Sequence, residues 1–255
     1  EVARITSVLT DYFQTHVNLH DNYQRWSALD TNFRAKALCF PGVRVLAQDP
    51  WENLVSFICS ANNHIKRITS MVDQLATHFG QHVADYGGYA FYCFPTVSEL
   101  AHPNLEAQLR QLGFGYRAKY IHQTVQHLQL KHGKQATRWL QSLRQAPYSE
   151  ARAELLQLAG IGPKVADCIC LMSLDKPEAI PVDTHVWQIA RRDYAFRHSH
   201  VGTRKSYKDK GGFSDRPKTL SKGEYEAVGD HFRKTFGAYA GWAHSAIAHS
   251  ALPSP

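Results

Sequence analysis

Apolar residues recur at helical spacing along almost the whole chain. The clearest stripe runs from Ile65 to Phe79 and stops at Gly80. Asp49 and Pro50 mark the start of the helix before it, because aspartate caps a helix and proline suits its first position. The pattern predicts a mainly α fold. Further helices are predicted at 105–112, 116–130, 137–143, 150–158, 186–189, 225–236 and 239–247.

Three stretches depart from this helical pattern or bear on where the chain begins. Residues 86–95 are aromatic and rich in glycine, which predicts a loop that packs on the core. Residues 201–222 hold seven Lys or Arg against two Asp and lack core-forming periodicity, which predicts a mobile basic loop. Glu1 already lies in a helical pattern and no methionine precedes it, so we expect a fragment of a longer protein.

The segment 158–164 reads Leu-Ala-Gly-Ile-Gly-Pro-Lys. Gly160 and Gly162 allow positive φ and close backbone approach, and Pro163 suits the first position of a helix. Free N–H groups at such a helix start bind an anion, so the turn would grip phosphate without reading sequence. The segment predicts a helix-hairpin-helix. A plain helical hairpin, with glycines for packing, is the alternative.

Lys164 lies on the first turn of the second helix, which is apolar around most of its circumference. Desolvation and a positive helix end both favour the neutral, nucleophilic amine. Asp183 follows 19 residues later, and the intervening loop could return it to the lysine. There it would stabilise positive charge on a sugar and accept a proton. Taken singly, a phosphate contact for Lys164 and a helix N-cap for Asp183 are the simpler interpretations.

Composition narrows the class of protein. The 255 residues can bury a sizeable core, and 29 Lys and Arg against 22 Asp and Glu give a net charge of +7, which favours a polyanionic partner. No apolar run approaches the ~18 residues that a membrane span needs. Five scattered cysteines favour a reducing compartment.

Several longer motifs occur in a fixed order along the chain. They are FICSANNHIKRIT (57–69), LGFGYRAKY (112–120), KVADCICLM (164–172), PVDTH (181–185) and YAGWA (239–243). In these motifs the chain resembles the eukaryotic 8-oxoguanine DNA glycosylase/AP lyase family, within the helix-hairpin-helix DNA glycosylase superfamily. The resemblance covers nearly the whole chain.

The resemblance implies a two-lobed helical fold with a DNA-binding cleft between the lobes. It implies an N-terminal helical segment at 1–22, left from a truncated, β-rich N-terminal domain. One lobe would comprise 23–46 with 164–255, and carry the catalytic residues and the basic loop. The other would comprise 47–163 and end in the helix-hairpin-helix.

The resemblance also implies residue roles. Lys164 is cast as the Schiff-base nucleophile and Asp183 as the catalytic carboxylate. The remaining roles fall into four groups: base pocket (Cys168, Met172, His244, Ala248), opposite-base reading and wedge (Asn62, Arg67, Tyr116, Arg117), DNA phosphate contact (Gly160, Gly162, Val165, His185) and backbone cation site (Leu156, Leu158, Ile161).

Two base-pocket positions depart from the family, which usually has glutamine and phenylalanine where this chain has His244 and Ala248. Histidine can still form hydrogen bonds, but alanine has no ring to stack on a base, and such stacking is worth ~1–3 kcal/mol. The departure therefore leaves the base preference open.

The expected function is base excision repair. The protein would remove 8-oxoguanine opposite cytosine from duplex DNA through a lysine Schiff base and β-elimination, acting as a monomer in the nucleus, with the mitochondrion as a further candidate compartment. No cofactor is expected to be required, and the hairpin is a candidate site for a structural monovalent or divalent cation. No cysteine follows Cys170, which excludes a C-terminal four-cysteine iron–sulfur loop. A glycosylase of the same fold for another damaged base, and a non-catalytic DNA-binding module, are the alternatives.

Overall fold

A computed structural model describes residues 1–196 and 220–249 of the chain. The fold divides into two compact units. The central unit is Leu46–Lys176, and the terminal unit combines Glu1–Val45 with Pro177–Pro255. Both units are built mainly from helices, so the predicted mainly α fold is confirmed.

The central unit contains α-helices and one β-hairpin. Asp49 caps helix α4 (Pro50–Ser60) as predicted, since its Oδ1 accepts hydrogen bonds from the N–H groups of Trp51 (2.9 Å) and Glu52 (3.0 Å). The elements are α4 (Pro50–Ser60), α5 (Ile65–Phe79), β1 (His82–Tyr86), β2 (Tyr89–Tyr92), α6 (Val97–Leu100), α7 (Leu105–Gln111), α8 (Arg117–His132), α9 (Ala136–Ser142), α10 (Tyr148–Leu155) and α11 (Pro163–Ser173).

The terminal unit brings together helices from both ends of the chain. Its elements are α1 (Val2–Tyr12), α2 (Leu19–Leu29), α3 (Thr31–Ala37), α12 (Thr184–Asp193), α13 (Lys222–Phe236) and α14 (Ala240–His249). An aromatic cluster joins the N-terminal helices to α13, because Phe33 packs its ring 5.3 Å from Trp26 and 5.8 Å from Phe236, measured between centroids. Of the expected basic loop 201–222, residues 201–219 lie outside the described residues.

Residues 86–95 do not form the predicted loop packed on the core. Half of them belong to β1 and β2, which pair as an antiparallel hairpin with Tyr86 opposite Tyr89. Gly87 and Gly88 form the two-residue turn, both at positive φ. Tyr86 (80%) and Tyr89 (73%) are exposed to solvent, and Tyr92 and Phe94 are half-buried. A glycine pair between short strands is a hairpin signal, and it outweighed the loop-like composition.

The unit boundaries also differ from those expected. Residues 164–176 fall in the central unit rather than with 177–255. The reason is that α11 packs against α4 and α10, and the N–H of Gln48 donates to the carbonyl of Met172 at 2.8 Å. The stretch 1–22 is not separate either, since the terminal unit includes it.

A buried polar network joins α10 to α11. Asp167 is 1% exposed, and its Oδ1 accepts hydrogen bonds from Arg152 Nε at 2.8 Å and from the Tyr148 hydroxyl at 2.7 Å. A charge held this far from water is tolerated only while its partners stay in place. The network therefore fixes the two helices of the hairpin relative to each other.

We predict that Asp167→Ala lowers the free energy of unfolding by about 3–5 kcal/mol, because it leaves the largely buried Arg152 without this carboxylate. Glu106→Ala is the matched control. It removes the exposed pair between Glu106 and Arg110 on α7, and should cost less than about 0.5 kcal/mol. Chemical denaturation of both variants measures the difference. Equal losses in the two variants would contradict the importance of the buried network.

Candidate active site

The predicted helix-hairpin-helix is present in the central unit. Helix α10 ends at Leu155 and α11 begins at Pro163, with Gly160 at φ +79° in the turn between them. Gly162 is the N-cap of α11, and no side chain among the described residues caps this helix end. The N–H groups of the first turn are therefore available to an anion.

Lys164 projects from the first turn of α11 and is half-buried. Its Nζ lies 5.8 Å from the centre of the Phe57 ring, over the face of that ring. Within the central unit its Nζ makes no hydrogen bond or ion pair. Cys168 and Met172 follow at four-residue intervals, so all three side chains share one face of the helix. Cys168 is buried and Met172 half-buried.

Asp183 lies in the terminal unit and caps α12. Its Oδ1 accepts hydrogen bonds from the N–H groups of His185 and Val186, both at 2.9 Å. The simpler interpretation of this aspartate as an N-cap is thus confirmed. Its Oδ2 accepts no hydrogen bond from the part of the chain that the structure describes, and the side chain is half-buried. One oxygen is committed to the helix and the other remains open for chemistry.

His244 is buried in the terminal unit, on α14. Its ring lies 5.8 Å from that of Phe232, and neither ring nitrogen has a hydrogen-bond partner within residues 1–196 and 220–249. Burial lowers the pKa of His244 to about 4, with a smaller, opposite effect from the charge of Asp183. The imidazole is therefore neutral at pH 7. Ala248, one turn later, is half-buried.

The predicted wedge residues come together in the central unit, at the α4–α5 turn and the start of α8. Asn62 is exposed and has φ +47°. The Tyr116 hydroxyl donates to the carbonyl of Ala61 at 2.9 Å, and Arg117 donates to the same carbonyl and to that of Asn62 at 3.0 Å. The Arg117 guanidinium also lies over the Tyr116 ring at 4.6 Å.

The two candidate arginines differ in exposure. Arg67 is exposed, and its guanidinium donates to the carbonyl of Gly113 at 2.9 Å. Arg117 is only 2% exposed, because the loop carbonyls of residues 61 and 62 surround its guanidinium. Arg117 supports this loop, whereas Arg67 lies at the surface.

The hairpin turn rests on α8 through two residues that the sequence analysis did not single out. A methyl group on Gly160 would lie 2.9 Å from two ring atoms of Tyr120, so the tyrosine packs directly on the glycine. Thr124 Oγ1 donates to the carbonyl of Ala159 at 3.1 Å. The sequence did carry a signal for these two residues. Tyr120 and Thr124 follow Tyr116 at intervals of four residues, which puts all three on one face of a helix.

The other candidates lie close to these elements. His185 is exposed on α12, and Val165 is half-buried on α11. Leu158 and Ile161 are buried in the turn, where the Leu158 carbonyl accepts a 3.3 Å hydrogen bond from the Ile161 N–H, and Leu156 is exposed just before it. Among the described residues, no three His, Cys, Asp or Glu side chains cluster as metal ligands, and no helix has the length and apolar content to cross a bilayer.

Lys164 and Asp183 fall in different units. The approach of the aspartate to the lysine therefore stays a prediction, as does the cleft between the lobes. Within each unit, by contrast, the candidate residues do gather. Lys164 shares α11 with the pocket candidates and follows the hairpin, while Asp183 and His244 are near enough to interact electrostatically.

Two family models match the chain. The model described as HhH-GPD superfamily base excision DNA repair protein matches residues 55–209. The model described as 8-oxoguanine DNA glycosylase, N-terminal domain, matches residues 2–54. The match to the N-terminal domain is therefore longer than the segment 1–22 expected from the sequence. Residues 2–54 contain helices and no strand.

Named relatives and solved structures are similar over nearly the whole chain. The N-glycosylase/DNA lyase of Saccharomyces cerevisiae is 40% identical over 94% of this chain and 64% of its own length. The N-glycosylase/DNA lyase OGG1 of Arabidopsis thaliana is 42% identical over 96% of this chain and 62% of its own. The 8-oxoguanine glycosylase/lyase of Clostridium acetobutylicum, solved with double-stranded DNA containing cytosine opposite 8-oxoG, is 28% identical with a TM-score of 0.77, covering 98% and 75% of the two chains. The chain thus spans less than two thirds of the two named relatives.

We predict that His244 makes the folded state sensitive to acid. Its pKa is about 4 when folded and ~6.5 when unfolded, so the unfolded state binds more protons between these values and stability falls as the pH is lowered through them. The shift corresponds to a loss of about 3 kcal/mol by pH 4. His244→Gln should remove this loss. Denaturant titrations of both proteins from pH 7 to pH 4 measure it, and identical slopes would contradict the prediction.

Proposed function

We propose, because the chain belongs to the HhH-GPD superfamily of base excision DNA repair proteins, that it is a DNA glycosylase with AP lyase activity. The substrate would be an oxidised purine, 8-oxoguanine opposite cytosine, in duplex DNA. The observation that carries the proposal is the position of Lys164, on the first turn of a buried helix directly after an uncapped hairpin turn. The names of the yeast and Arabidopsis relatives support the same activity.

DNA binding would begin at the hairpin. The N–H groups at the start of α11 offer hydrogen bonds to a backbone phosphate, aided by the helix dipole. Gly162 favours this, because an added Cβ there would meet no atom of residues 1–196 or 220–249 within 4 Å, which leaves room for a ligand on this side of the turn. In the terminal unit, the exposed His185 would contact a second phosphate. These contacts carry no sequence preference.

Extrusion of the damaged base would be supported by the α4–α5 turn and the start of α8. Tyr116 is 47% exposed beside the exposed Asn62, so both could enter the base stack when a nucleotide leaves it. Arg67 offers donors to the acceptor edge of the unpaired cytosine. Unstacking a base costs a few kcal/mol, and the inserted side chains would offset part of that cost.

The chemistry would then follow at the sugar. The neutral amine of Lys164 attacks C1′, the bond from C1′ to the base breaks, and the base leaves with the bonding electron pair and takes up a proton. The attacking nitrogen then loses a proton, the bond from C1′ to O4′ breaks, O4′ takes up a proton, and a protonated imine joins Lys164 to the opened sugar. Abstraction of a proton from C2′ expels the 3′ phosphate by β-elimination and nicks the strand. In the base pocket, Cys168 and Met172 share the helix face of Lys164 and would line the space that receives the base.

Asp183 would stabilise the positive charge that develops on the sugar and accept a proton. Its Oδ2 is the oxygen available for this, since Oδ1 is occupied by the start of α12. A buried, neutral His244 has one donor and one acceptor nitrogen, and one of the two would bond to the base edge.

The hairpin carbonyls of Leu156, Leu158 and Ile161 are the candidate holders of a structural monovalent or divalent cation. Oxygen ligands suit hard cations, and the Leu158 carbonyl accepts one backbone hydrogen bond from the described residues, which leaves its second lone pair for coordination. Such a cation would brace the turn and take no part in bond breaking. We propose that the protein needs no other cofactor and is a monomer in the nucleus, with the mitochondrion as a further candidate compartment.

The strongest rival is a glycosylase of the same fold with another damaged base as substrate. It is favoured by His244 and Ala248, which stand where the family usually has glutamine and phenylalanine. An imidazole points its two nitrogens in diverging directions, so it cannot bond side by side to a base edge as a carboxamide does. Excision rates on a panel of oxidised, alkylated and mismatched bases would separate the two substrates.

We predict that borohydride traps a covalent adduct between the protein and duplex DNA holding an abasic site or 8-oxoguanine, because reduction fixes the imine. Lys164→Gln should abolish the adduct while duplex binding is retained. The matched control is Lys131→Gln, at a partly exposed lysine of α8 that pairs with Glu154. A protein that binds the duplex but gives no adduct would instead be a non-catalytic binding module.

We predict that Asp183→Asn slows base release by about 10²–10⁴-fold and leaves DNA affinity nearly unchanged. Asparagine caps helices as well as aspartate, so α12 should survive the change. Asp49→Asn is the matched control, since Asp49 caps α4 in the same way. Single-turnover excision and binding assays measure both variants. A parallel loss of affinity and rate in Asp183→Asn would mean that the side chain only caps its helix.

A further inference from the structure

Two elements proposed to contact DNA, the hairpin turn and the wedge at the start of α8, both lie in the central unit. Tyr116 immediately precedes α8, and Tyr120 and Thr124 follow at intervals of four residues. Residues so spaced share one face of a helix. At ~1.5 Å per residue, this face carries contacts over about 12 Å.

Tyr120 touches both elements. Its ring lies against the α-carbon of Gly160, where any Cβ would be 2.9 Å from two of its atoms. The same ring meets that of Tyr116 edge to face, with centroids 5.8 Å apart and planes at 78°. The Tyr120 ring therefore lies between the Tyr116 ring and the hairpin turn.

Both neighbours of this ring are held in place by hydrogen bonds. On one side, Tyr116 is anchored by its hydroxyl to the carbonyl of Ala61 and covered by the guanidinium of Arg117. On the other side, Thr124 is bonded to the carbonyl of Ala159, next to Gly160. A shift of the hairpin turn would therefore press on Tyr120 and, through it, on Tyr116.

The Tyr120 hydroxyl makes no hydrogen bond to any residue that the structure describes, and the side chain is 36% exposed. Its contacts are those of the ring alone. A tyrosine kept only for its ring can be replaced by phenylalanine without loss, and this provides a conservative variant that separates packing from hydroxyl chemistry.

We infer that Tyr120 is a positioning residue that couples phosphate binding at the hairpin to insertion of Tyr116 into the base stack. The inference rests on the proposed function. Phosphate bound at the start of α11 fixes the turn, the turn fixes the Tyr120 ring, and the ring fixes the direction from which Tyr116 enters. Tyr120 itself need not touch DNA or the reacting atoms.

The first test separates extrusion from later chemistry. Single-turnover rates are measured on duplex with 8-oxoguanine opposite cytosine, and on duplex that already holds an abasic site and has no base to extrude. Tyr120→Ala should slow base excision at least about tenfold, since small misplacements cost this much, and change strand cleavage at the abasic site less than about twofold. Tyr120→Phe should match the unaltered protein in both assays, as should Tyr86→Ala on the exposed β-hairpin.

Each alternative result is decisive. Equal slowing of both reactions by Tyr120→Ala would indicate a general structural role and overturn the inference, as would no slowing of either. Loss of excision in Tyr120→Phe would overturn it too, because the hydroxyl would then matter. If the unaltered protein itself gave no adduct with abasic DNA, the proposed function would fail before Tyr120 was tested, so the two failures are distinguishable.

The second test measures the coupling directly. Dissociation constants are determined for duplex holding an uncleavable abasic analogue, using Tyr116→Ala, Gly162→Ala and the double variant. Contacting or linked sites show non-additive effects, so the double variant should deviate from additivity by at least about threefold. In a Tyr120→Ala background the deviation should vanish. Additivity in the unaltered background, or a deviation that survives Tyr120→Ala, would contradict the coupling.

Discussion

The burial of α11 constrains everything that the central unit presents at its surface. The helix is enclosed by α4 and α10, and the carboxylate of Asp167 within it is held by Arg152 and Tyr148. A helix fixed along its body has a fixed first turn. The uncapped N–H groups and the Lys164 side chain therefore leave the fold at a defined place, and neither has to be ordered when a ligand arrives. Such preorganisation lowers the entropic cost of binding and orientation.

The same constraint explains why much of this unit could be predicted from sequence. Asp49 and Pro50 begin α4, and Gly160, Gly162 and Pro163 define the turn, because each of these residue types has a strong local preference that tertiary structure does not override here. The stripe from Ile65 to Phe79 also produced the helix that its spacing predicts. In these places local chemistry and packing point in the same direction.

Other features depend on contacts between segments distant in sequence. The burial of Arg117 arises from carbonyls 55 and 56 positions earlier, and the packing of Tyr120 on Gly160 joins residues 40 positions apart. Nothing local distinguishes Arg117 from the exposed Arg67. The β-hairpin was missed for a different reason, since its strands expose nearly all their side chains and so lack the alternation that marks a half-buried strand. The expected boundary between residues 163 and 164 failed because it would have cut a hairpin held by packing.

Under the proposed mechanism, the separate roles of the two oxygens of Asp183 would have a kinetic consequence. Helix α12 draws its terminal support from Oδ1, so Oδ2 would act on the substrate while the hydrogen bonds to His185 and Val186 persist. The backbone around the carboxylate would then have no need to loosen and reform with each turnover. A carboxylate that served both purposes through one oxygen would link every protonation event to fraying of a helix, and the slower of the two motions would set the pace of the cycle.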